Sequence, residues 1–289
     1  MENNRRTFLK QASITAVGLM ILPTLSRCTS TKEIGIQLYS LRDEFPKGVE
    51  KVISEVAKAG YTTVELYGYS LENGHWGLTA KDFRALLDKY KLGSPSAHYD
   101  FYQWESSQDD KVLQSYIDAA KVLGQKYIGI PYVNPELFKS EETIKAFAAK
   151  LNRAGEILKK EGLKLAYHNH SFEFELIRSK TAYEILLENT EEELVDFEID
   201  LYWAVIAKQD VIRLFRENPG RFPLWHIKDM NKLDSQKNTE IGNGQIDFSV
   251  FLKEAKLAGL KYPFVEQENL DIDPYQSIQK SITFLKSMR

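Results

Sequence analysis

Two histidines, His168 and His170, stand at the end of a short apolar run and are followed by Glu173. In an extended strand the side chains of residues i and i+2 leave the same face, so the two imidazoles are expected to point the same way. Imidazole and carboxylate groups that lie together can transfer protons or bind a metal ion. The stretch therefore predicts a chemical site where a strand ends.

Other short apolar runs end in residues of the same types. Four of the five histidines lie at such an end, and most runs carry two polar residues separated by one position. If each run is a strand, the two members of a pair share a face. Together they predict a ring of carboxylates and imidazoles with few basic partners. The residues are Glu65 and Tyr67, His98, Glu198 and Asp200, His226 and Lys228, and Glu266 and Glu268.

The apolar runs alternate with stretches of helical period, and this alternation predicts how the ring is held. Strands that alternate with helices are parallel, and eight such units fit a closed (β/α)8 barrel, the TIM barrel. An open doubly wound sheet is the alternative. No linker interrupts the pattern, so we expect one catalytic domain at 31–289, with its reacting groups where the strands end. The expected strands are 34–38, 63–66, 94–98, 127–130, 163–168, 195–200, 224–228 and 262–266.

Charged groups that point into a barrel mouth are costly to bury unless they are paired or bound to a cation. A divalent metal ion is the simplest way to hold several carboxylates close together. Ligation by Asp, Glu and His without cysteine suits Mn, Zn, Co or Fe. The sequence therefore predicts one divalent metal ion at the mouth of the barrel.

The composition narrows the classes of partner. The chain has 289 residues and a formal net charge of −3, which gives no electrostatic reason to expect nucleic acid. Its single cysteine excludes an internal disulfide. We therefore expect a small-molecule substrate and no nucleic acid.

The N-terminal segment reads differently from the rest of the chain. Arg5 and Arg6 precede an apolar stretch at 12–25, which is too short to span a bilayer comfortably and resembles the core of a twin-arginine export signal. Cys28 follows at a position similar to that of a lipidated cysteine, so a lipid-anchored and a freely soluble form both stay open. We expect 1–30 to be a signal segment and the protein to be exported, either periplasmic or anchored to a membrane.

Six short segments carry a resemblance to a known group of proteins. They are Ile34–Arg42, Tyr167–Phe174, Asp200–Trp203, His226–Asp229, Ile241–Phe248 and Val265–Glu268. In this order they resemble the xylose-isomerase-like barrel superfamily. That superfamily includes sugar phosphate isomerases and epimerases, ketose 3-epimerases, inosose dehydratases, 3-keto-glycoside lyases and endonuclease IV. The resemblance covers nearly the whole chain after the signal segment and implies the same barrel.

The resemblance implies a set of metal ligands. Members usually bind one divalent ion through a Glu from strand 5, an Asp from strand 6, a His from strand 7 and a Glu from strand 8. The last three correspond to Asp200, His226 and Glu266. At strand 5 this chain has His168 where many relatives carry Glu. We prefer His168 to Glu173 as the fourth ligand, because a strand-end residue is held more rigidly than a loop residue.

The resemblance also implies the chemistry of a sugar isomerase or epimerase. Such an enzyme removes a proton next to a carbonyl while the metal ion stabilises the enediolate. Glu266, Glu173 and His170 are the expected acid and base, and Lys228 is expected to contact a substrate oxygen. The scarcity of cationic residues and the export signal favour an unphosphorylated keto-sugar or glycoside. Further substrate contacts are expected from Glu65, His98, Trp203 and Glu268.

Alternative functions stay open at this point. An imidazole at strand 5 makes the two sides of a substrate chemically unequal, which suits a directional lyase or dehydratase of the same superfamily. A phosphodiesterase like endonuclease IV would need more metal ligands and a basic surface. A catalytically retired barrel would bind a sugar without converting it. Whether the chain forms a homodimer is also open.

Overall fold

Eight parallel strands close into a barrel in the computed structural model, which describes residues 33–288. Each strand pairs with its neighbours along the chain, and the first strand pairs with the last. The predicted (β/α)8 barrel is confirmed, and the open sheet is wrong. The strands are β1 (Gly35–Gln37), β2 (Thr63–Leu66), β3 (Gly93–His98), β4 (Tyr127–Ile130), β5 (Lys164–His168), β6 (Val195–Asp200), β7 (Leu224–Ile227) and β8 (Tyr262–Val265).

Alternation along each strand explains why charged residues fill the barrel mouth. In β6, Phe197 packs outward against the aromatic rings of the surrounding layer. Glu198 and Asp200 leave the opposite face and point into the barrel. In the register of the sheet, Glu198 lies opposite His168 on β5, and Asp200 lies opposite His226 on β7. The sequence thus places carboxylates and imidazoles on adjoining strands at two heights in the barrel.

Helices cover the outside of the barrel and begin at residues that can cap them. Ser140 Oγ accepts a hydrogen bond from the Thr143 backbone N–H, and Thr181 and Glu184 form a capping box. These caps fix where the connecting loops end. The helices are α1 (Val49–Ala59), α2 (Ala80–Lys89), α3 (Tyr102–Ser107), α4 (Asp110–Leu123), α5 (Glu141–Lys160), α6 (Ala182–Asn189), α7 (Leu201–Ile206), α8 (Val211–Glu217), α9 (Phe248–Lys253), α10 (Ala255–Ala258) and α11 (Pro274–Ser287).

Three short antiparallel hairpins build up the loops that follow β2, β5 and β7. Their strands are two residues long, which is too short to leave a periodic signal in the sequence. They raise the rim around the mouth of the barrel. The paired segments are Tyr69–Ser70 with Gly74–His75, Leu176–Ile177 with Lys180–Thr181, and Asp229–Met230 with Asn238–Thr239.

The long loop after β7 is folded around one buried carboxylate, that of Asp229. Its oxygens accept hydrogen bonds from the backbone N–H groups of Gly242, Gly244 and Ile246 at 2.8–3.0 Å. A Cβ atom on Gly244 would lie 2.1 Å from Asp229 Oδ1, so only glycine allows this approach. The loop is thereby held as an ordered wall close to the residues that end β7.

The predicted signal segment 1–30, with Cys28, lies outside the described residues. Export and lipid attachment therefore stay predictions. Within residues 33–288, no helix has both the length and the apolar character needed to cross a membrane.

Candidate active site

A cleft of about 750 Å³ lies over the carboxyl ends of the strands. One part of its wall is polar and comes mainly from residues that follow β5, β7 and β8. The other part is aromatic and comes from the loops after β1 to β4. The polar residues are His98, Asp100, Asn134, His168, His170, Lys228, Glu266 and Glu268, and the aromatic ones are Tyr39, Tyr67, Tyr69, Tyr102 and Tyr132.

Four buried side chains at the floor of this cleft form what we call the upper group: His168, Asp200, His226 and Glu266. Each offers one ligand atom, and the four atoms lie within 4.8 Å of one another. His168 Nε2 is 3.3 Å from Asp200 Oδ2, and His226 Nδ1 is 2.7 Å from Glu266 Oε2. They come from the ends of β5, β6, β7 and β8. The structure therefore brings together the four predicted ligands.

Backbone contacts orient two members of the upper group. The Nδ1–H of His168 donates to the Pro131 carbonyl oxygen at 3.2 Å, which leaves the lone pair of Nε2 facing Asp200. Asp200 is the N-cap of α7 as well: its Oδ1 accepts from the Trp203 backbone N–H at 3.1 Å. Its Oδ2 remains directed at the upper group. Each side chain thus presents one defined atom to the cleft.

His226 Nδ1 is the least satisfied atom of the upper group. It is buried and has no hydrogen-bond partner among the described residues, although Glu266 Oε2 is only 2.7 Å away. The oxygen is close, but it lies off the direction in which an N–H group would donate. A nitrogen and an oxygen atom that face each other without a hydrogen bond suit a shared cation better than a shared proton.

Lys228 supplies the only lysine or arginine charge among the described residues that line the cleft. Its Nζ lies 3.0 Å from Asp200 Oδ2, 2.9 Å from Glu266 Oε2 and 2.5 Å from Glu268 Oε1. Burial opposes the lysine charge, but these three carboxylates outweigh burial and raise the pKa of Lys228 well above its ordinary value. Lys228 is therefore a permanent cation whose charge is already shared among three acids.

A second set of buried side chains, the deep group, lies further inside the barrel: Glu65, His98, Glu198 and His226. His98 Nε2 lies 2.6 Å from Glu198 Oε2, and His226 Nε2 lies 2.6 Å from Glu65 Oε2. Gln37 Nε2 also donates to Glu65 Oε2, at 2.8 Å. His226 belongs to both groups, with Nδ1 on the upper side and Nε2 on the deep side. One imidazole therefore joins the two layers.

The ring of His98 fits against β4 because the facing residue is Gly129. The two residues are partners in the register of the sheet, and a Cβ atom on Gly129 would lie 2.8 Å from His98 Cδ2. His98 also lines the cleft, with 8% of its side chain exposed. It is thus the member of the deep group that reaches the cleft wall.

Charge in the upper group is set by burial and by its ionic neighbours. Burial opposes ionisation of Asp200, but Lys228 and His168 outweigh it and lower the pKa of Asp200 to about 2. Burial, with the positive charge of His226, lowers the pKa of His168. Glu198 and Glu266 overcome the effect of burial on His226 and raise its pKa. At neutral pH Asp200 is ionised and His168 is neutral, the forms that bind metal, whereas His226 must lose its Nδ1 proton to do so.

His170 and Glu173 follow β5 but point in different directions. His170 lines the cleft, and burial lowers its pKa to about 2, with a further contribution from the charge on Lys228. Glu173 is fully buried and accepts hydrogen bonds from the Tyr167 hydroxyl at 2.8 Å and the His170 backbone N–H at 2.9 Å. Burial raises the pKa of Glu173 to about 8. Glu173 therefore holds the backbone of His170 from behind.

Three predicted site residues lie elsewhere than expected. Glu173 does not line the cleft, because the turn at Phe172–Phe174 directs it toward Tyr167, so this geometry does not support its assignment as acid or base. Glu65 lies beneath the upper group, bonded to His226, and is too deep for a substrate contact. Trp203 does not line the cleft; its ring packs beside His170 and Lys228. Their roles are to support neighbouring residues.

Other residues lie at the site to which the sequence had assigned no role. Glu198 was part of the predicted ring but had no role, and it anchors His98. The five tyrosines of the cleft come from four different loops, and only their position after strand ends could have indicated them. His98, His170, Lys228 and Glu268 do line the cleft as predicted.

The chemistry of the upper group fits a divalent metal ion. It offers two imidazole nitrogens and two carboxylates, a set typical of Mn, Zn, Co or Fe. His168 has a backbone acceptor on its other nitrogen, and His226 has a carboxylate acceptor. Metal-bound histidines almost always have such partners. The orphaned His226 Nδ1 is directed at the same place.

Comparisons with known proteins agree with this geometry. Residues 53–288 match the family model of the xylose isomerase-like TIM barrel. A sugar phosphate isomerase/epimerase from Parabacteroides distasonis superposes with a TM-score of 0.79 at 29% identity, over 91% of this chain and 96% of that one. An inosose dehydratase from Mesomycoplasma hyopneumoniae is 26% identical over 83% of this chain and 88% of its own length. The IOLI protein, solved with a zinc atom, shares the fold with a TM-score of 0.67 at 15% identity, over 89% of this chain and 97% of that one.

Proposed function

Because the chain belongs to the xylose isomerase-like TIM barrel family, we propose that it is a divalent-metal-dependent enzyme that removes the proton next to the carbonyl of an unphosphorylated sugar. The observation that carries this proposal is the upper group, in which His226 Nδ1 is buried without a hydrogen bond 2.7 Å from Glu266 Oε2. A cation at that place explains why so many acids are buried together. The isomerase, epimerase and dehydratase relatives are all enzymes.

The upper group would hold the metal ion, with His168, Asp200, His226 and Glu266 as ligands. A bound divalent ion supplies a Lewis acid that polarises a carbonyl and stabilises the negative charge that develops on its oxygen. Lys228 lies on the same side of the cleft and adds a fixed positive charge near that oxygen. The protein thereby lowers the cost of forming an anion next to the carbonyl.

Glu266 and His170 are placed to move the protons. Glu266 lies at the cleft floor and would accept the proton from the carbon next to the carbonyl. His170 lines the same cleft as a neutral imidazole, positioned through its backbone by Glu173. In an epimerase or isomerase, His170 would take part in proton transfer on the opposite face of the substrate. Proton transfer of this kind contributes about 10²–10⁴-fold to a rate.

The wall of the cleft supports an uncharged substrate. Lys228 is shared among three carboxylates, so no free cation is left for a phosphate group among the described lining residues. Tyrosine offers an apolar ring and a hydroxyl group, a combination that suits the two faces of a sugar. We therefore propose a keto-sugar or a glycoside of one as the substrate class.

A second candidate is elimination by a lyase or dehydratase of the same family. The observation that favours it is His168, an imidazole that ends β5 and belongs to the upper group. One carboxylate, Glu266, then faces imidazoles across the cleft, so the two sides of a substrate meet different groups. Glu266 would take the proton from carbon and return it to the departing oxygen, which leaves as water or an alcohol, while the neutral His170 ring would offer a hydrogen bond to that oxygen. One of the relatives is named inosose dehydratase, and a dehydratase removes water from its substrate.

We also propose that the protein is exported through its N-terminal segment. The support is the sequence Arg5-Arg6 followed by the apolar stretch 12–25. Replacing both arginines by lysine should leave uncleaved precursor in the cytoplasm. Mass spectrometry of the mature N-terminus will tell a lipid-modified Cys28 from a plain cut, and unchanged export of the double variant contradicts the proposal.

The proposed chemistry is tested in two steps on the purified protein. Elemental analysis should find about one divalent ion per chain. NMR in deuterated water should then show metal-dependent exchange of the proton next to the carbonyl in keto-sugars or 3-keto-glycosides. Loss of a β-substituent in the same spectra identifies elimination, and a new sugar without loss identifies isomerisation. A metal-loaded protein that exchanges no such proton contradicts the proposed function.

A further inference from the structure

The deep group and the upper group use opposite nitrogens of His226, and the geometry on the two sides differs. On the deep side, Nε2 lies 2.6 Å from Glu65 Oε2 in a well-directed hydrogen bond. On the upper side, Nδ1 lies 2.7 Å from Glu266 Oε2 without one. A directed hydrogen bond therefore holds the ring through Nε2 on the deep side, and Nδ1 makes no hydrogen bond on the upper side.

The deep bond decides which nitrogen of His226 carries the proton. Glu65 Oε2 already accepts a hydrogen bond from Gln37, so it is an acceptor, and His226 Nε2 is the donor to it. Binding a metal ion requires a neutral imidazole with a single N–H group, so the proton held by Glu65 stays on Nε2 and the lone pair falls on Nδ1. Gln37 donates to the same oxygen of Glu65 at 2.8 Å and fixes the carboxylate in turn. Glu65 is fully buried, so water does not compete for either bond.

The deep group could instead be taken for a second metal site, because it too has four possible ligands. The direction of its contacts argues against this. The short contacts from His98 to Glu198 and from His226 to Glu65 are both directed as hydrogen bonds, whereas His226 Nδ1 in the upper group makes none. A metal here would also require His226 to give both nitrogens to cations.

We propose that Glu65 is the positioning residue of the metal ligand His226, and that the deep group is a hydrogen-bonded support that holds no ion of its own. The proposal rests on the metal site of the proposed function. It adds a role for Glu65, Glu198 and His98 below the cleft. Glu65 fixes the ring and its tautomer, and the pair of His98 and Glu198 fills the remaining space beside it.

The first test measures metal affinity rather than activity. Chelator-treated full-length protein is titrated with Zn²⁺ by calorimetry, and the parent should bind one equivalent. Glu65→Met, which removes the acceptor, should weaken binding by about 10–100-fold, as losses of such partners usually do. Glu65→Gln keeps an oxygen that can accept from Nε2–H and should stay within a few-fold of the parent.

Asp196→Asn is the matched control for the cost of altering a buried acid. Asp196 is buried on β6, two residues before Glu198, and bonds Lys164 at 3.0 Å rather than any histidine. It should lose stability without losing Zn²⁺ affinity. Equal affinity in Glu65→Met and the parent overturns the proposal, and so does a second equivalent of Zn²⁺ that disappears in Glu198→Gln. A parent that binds no Zn²⁺ overturns the proposed function as well.

A second measurement needs no variant and covers the case in which Glu65→Met does not fold. The chain has five histidines, so ¹⁵N-histidine NMR of the Zn²⁺-loaded parent is tractable. The His226 ring should show a protonated Nε2 and a metal-bound Nδ1. A protonated Nδ1 with a metal-bound Nε2 overturns the proposal.

Discussion

The two halves of the barrel mouth are built in different ways. The half that follows β5 to β8 holds buried residues at strand ends, such as His168, Asp200 and Glu266, whose ligand atoms lie within 4.8 Å of one another. The half that follows β1 to β4 holds tyrosines on loops, and Tyr102 and Tyr132 are 62% and 52% exposed. His98, Asp100 and Asn134 are its polar exceptions.

This difference separates chemistry from substrate fit. Charged groups that must keep a fixed geometry lie on strands, where packing and backbone bonds hold them. Aromatic groups that meet a substrate lie on loops, which can vary without disturbing the barrel. Changes in the first half should therefore affect metal binding and rate, and changes in the second should affect substrate binding alone.

The largest effect is expected from removing a ligand of the charged half. Asp200→Ala, His226→Ala and Glu266→Ala should each bring the metal content below one ion per chain and activity to background, because each removes one of four converging atoms. Circular dichroism should show a folded barrel. Metal analysis with an activity assay checks the result, and full activity with stoichiometric metal in any variant removes that residue from the ligand set.

His170→Ala should separate proton transfer from metal binding within the same half. The imidazole lines the cleft but is not one of the four converging residues, so the metal should stay. The exchange rate of the substrate proton should fall by about 10²–10⁴-fold. The paired readouts are metal content and proton exchange by NMR. Loss of metal together with rate would place His170 among the ligands instead.

A stability test concerns Glu173 behind the charged half. Burial raises its pKa to about 8, so the folded state holds a proton that the unfolded state releases near pH 4.5. The stabilisation of the folded state by this proton is complete below pH 4.5 and is lost as the pH rises through about 8. Glu173→Gln cannot ionise, so denaturant unfolding should find it more stable than the parent by a few kcal/mol at pH 8.5 and about equal at pH 4.5. An identical pH dependence of the unfolding free energy in Glu173→Gln and the parent contradicts the raised pKa of Glu173.

The smallest effect is expected in the aromatic half. Tyr102→Ala removes one exposed ring from the cleft wall and should raise KM by about 2–10-fold with kcat unchanged, as expected for about 0.5–1.5 kcal/mol of lost contact. Leu71→Ala is the control, since Leu71 is 78% exposed on a neighbouring loop and does not line this cleft. A fall in kcat for Tyr102→Ala would give the aromatic half a part in the chemistry.

The barrel and the upper group could be predicted from the sequence because both depend on local pattern. Short apolar runs that alternate with amphipathic stretches define the strands, and period two tells which face a residue such as Asp200 takes. The alternation along a strand does not tell how far along the barrel axis a side chain lies. Glu65 was therefore expected at the cleft, although the stagger of the strands places it in the deep group with Glu198.

The loops were less predictable for a physical reason. Glu173 follows β5 by a few residues, and a single 3₁₀ turn at Phe172–Phe174 decides whether it faces the cleft or Tyr167. No periodicity extends over so short a segment. The tyrosines of the aromatic half likewise meet only because four loops converge above the barrel.

The most direct test of the metal site is anomalous X-ray diffraction from crystals of the parent protein soaked in Mn²⁺. The account predicts one strong peak among His168 Nε2, Asp200 Oδ2, His226 Nδ1 and Glu266 Oε2, about 2.0–2.3 Å from each. A peak inside the deep group, a peak beside Glu173, or a crystal at full Mn²⁺ occupancy elsewhere with none at this place would contradict it.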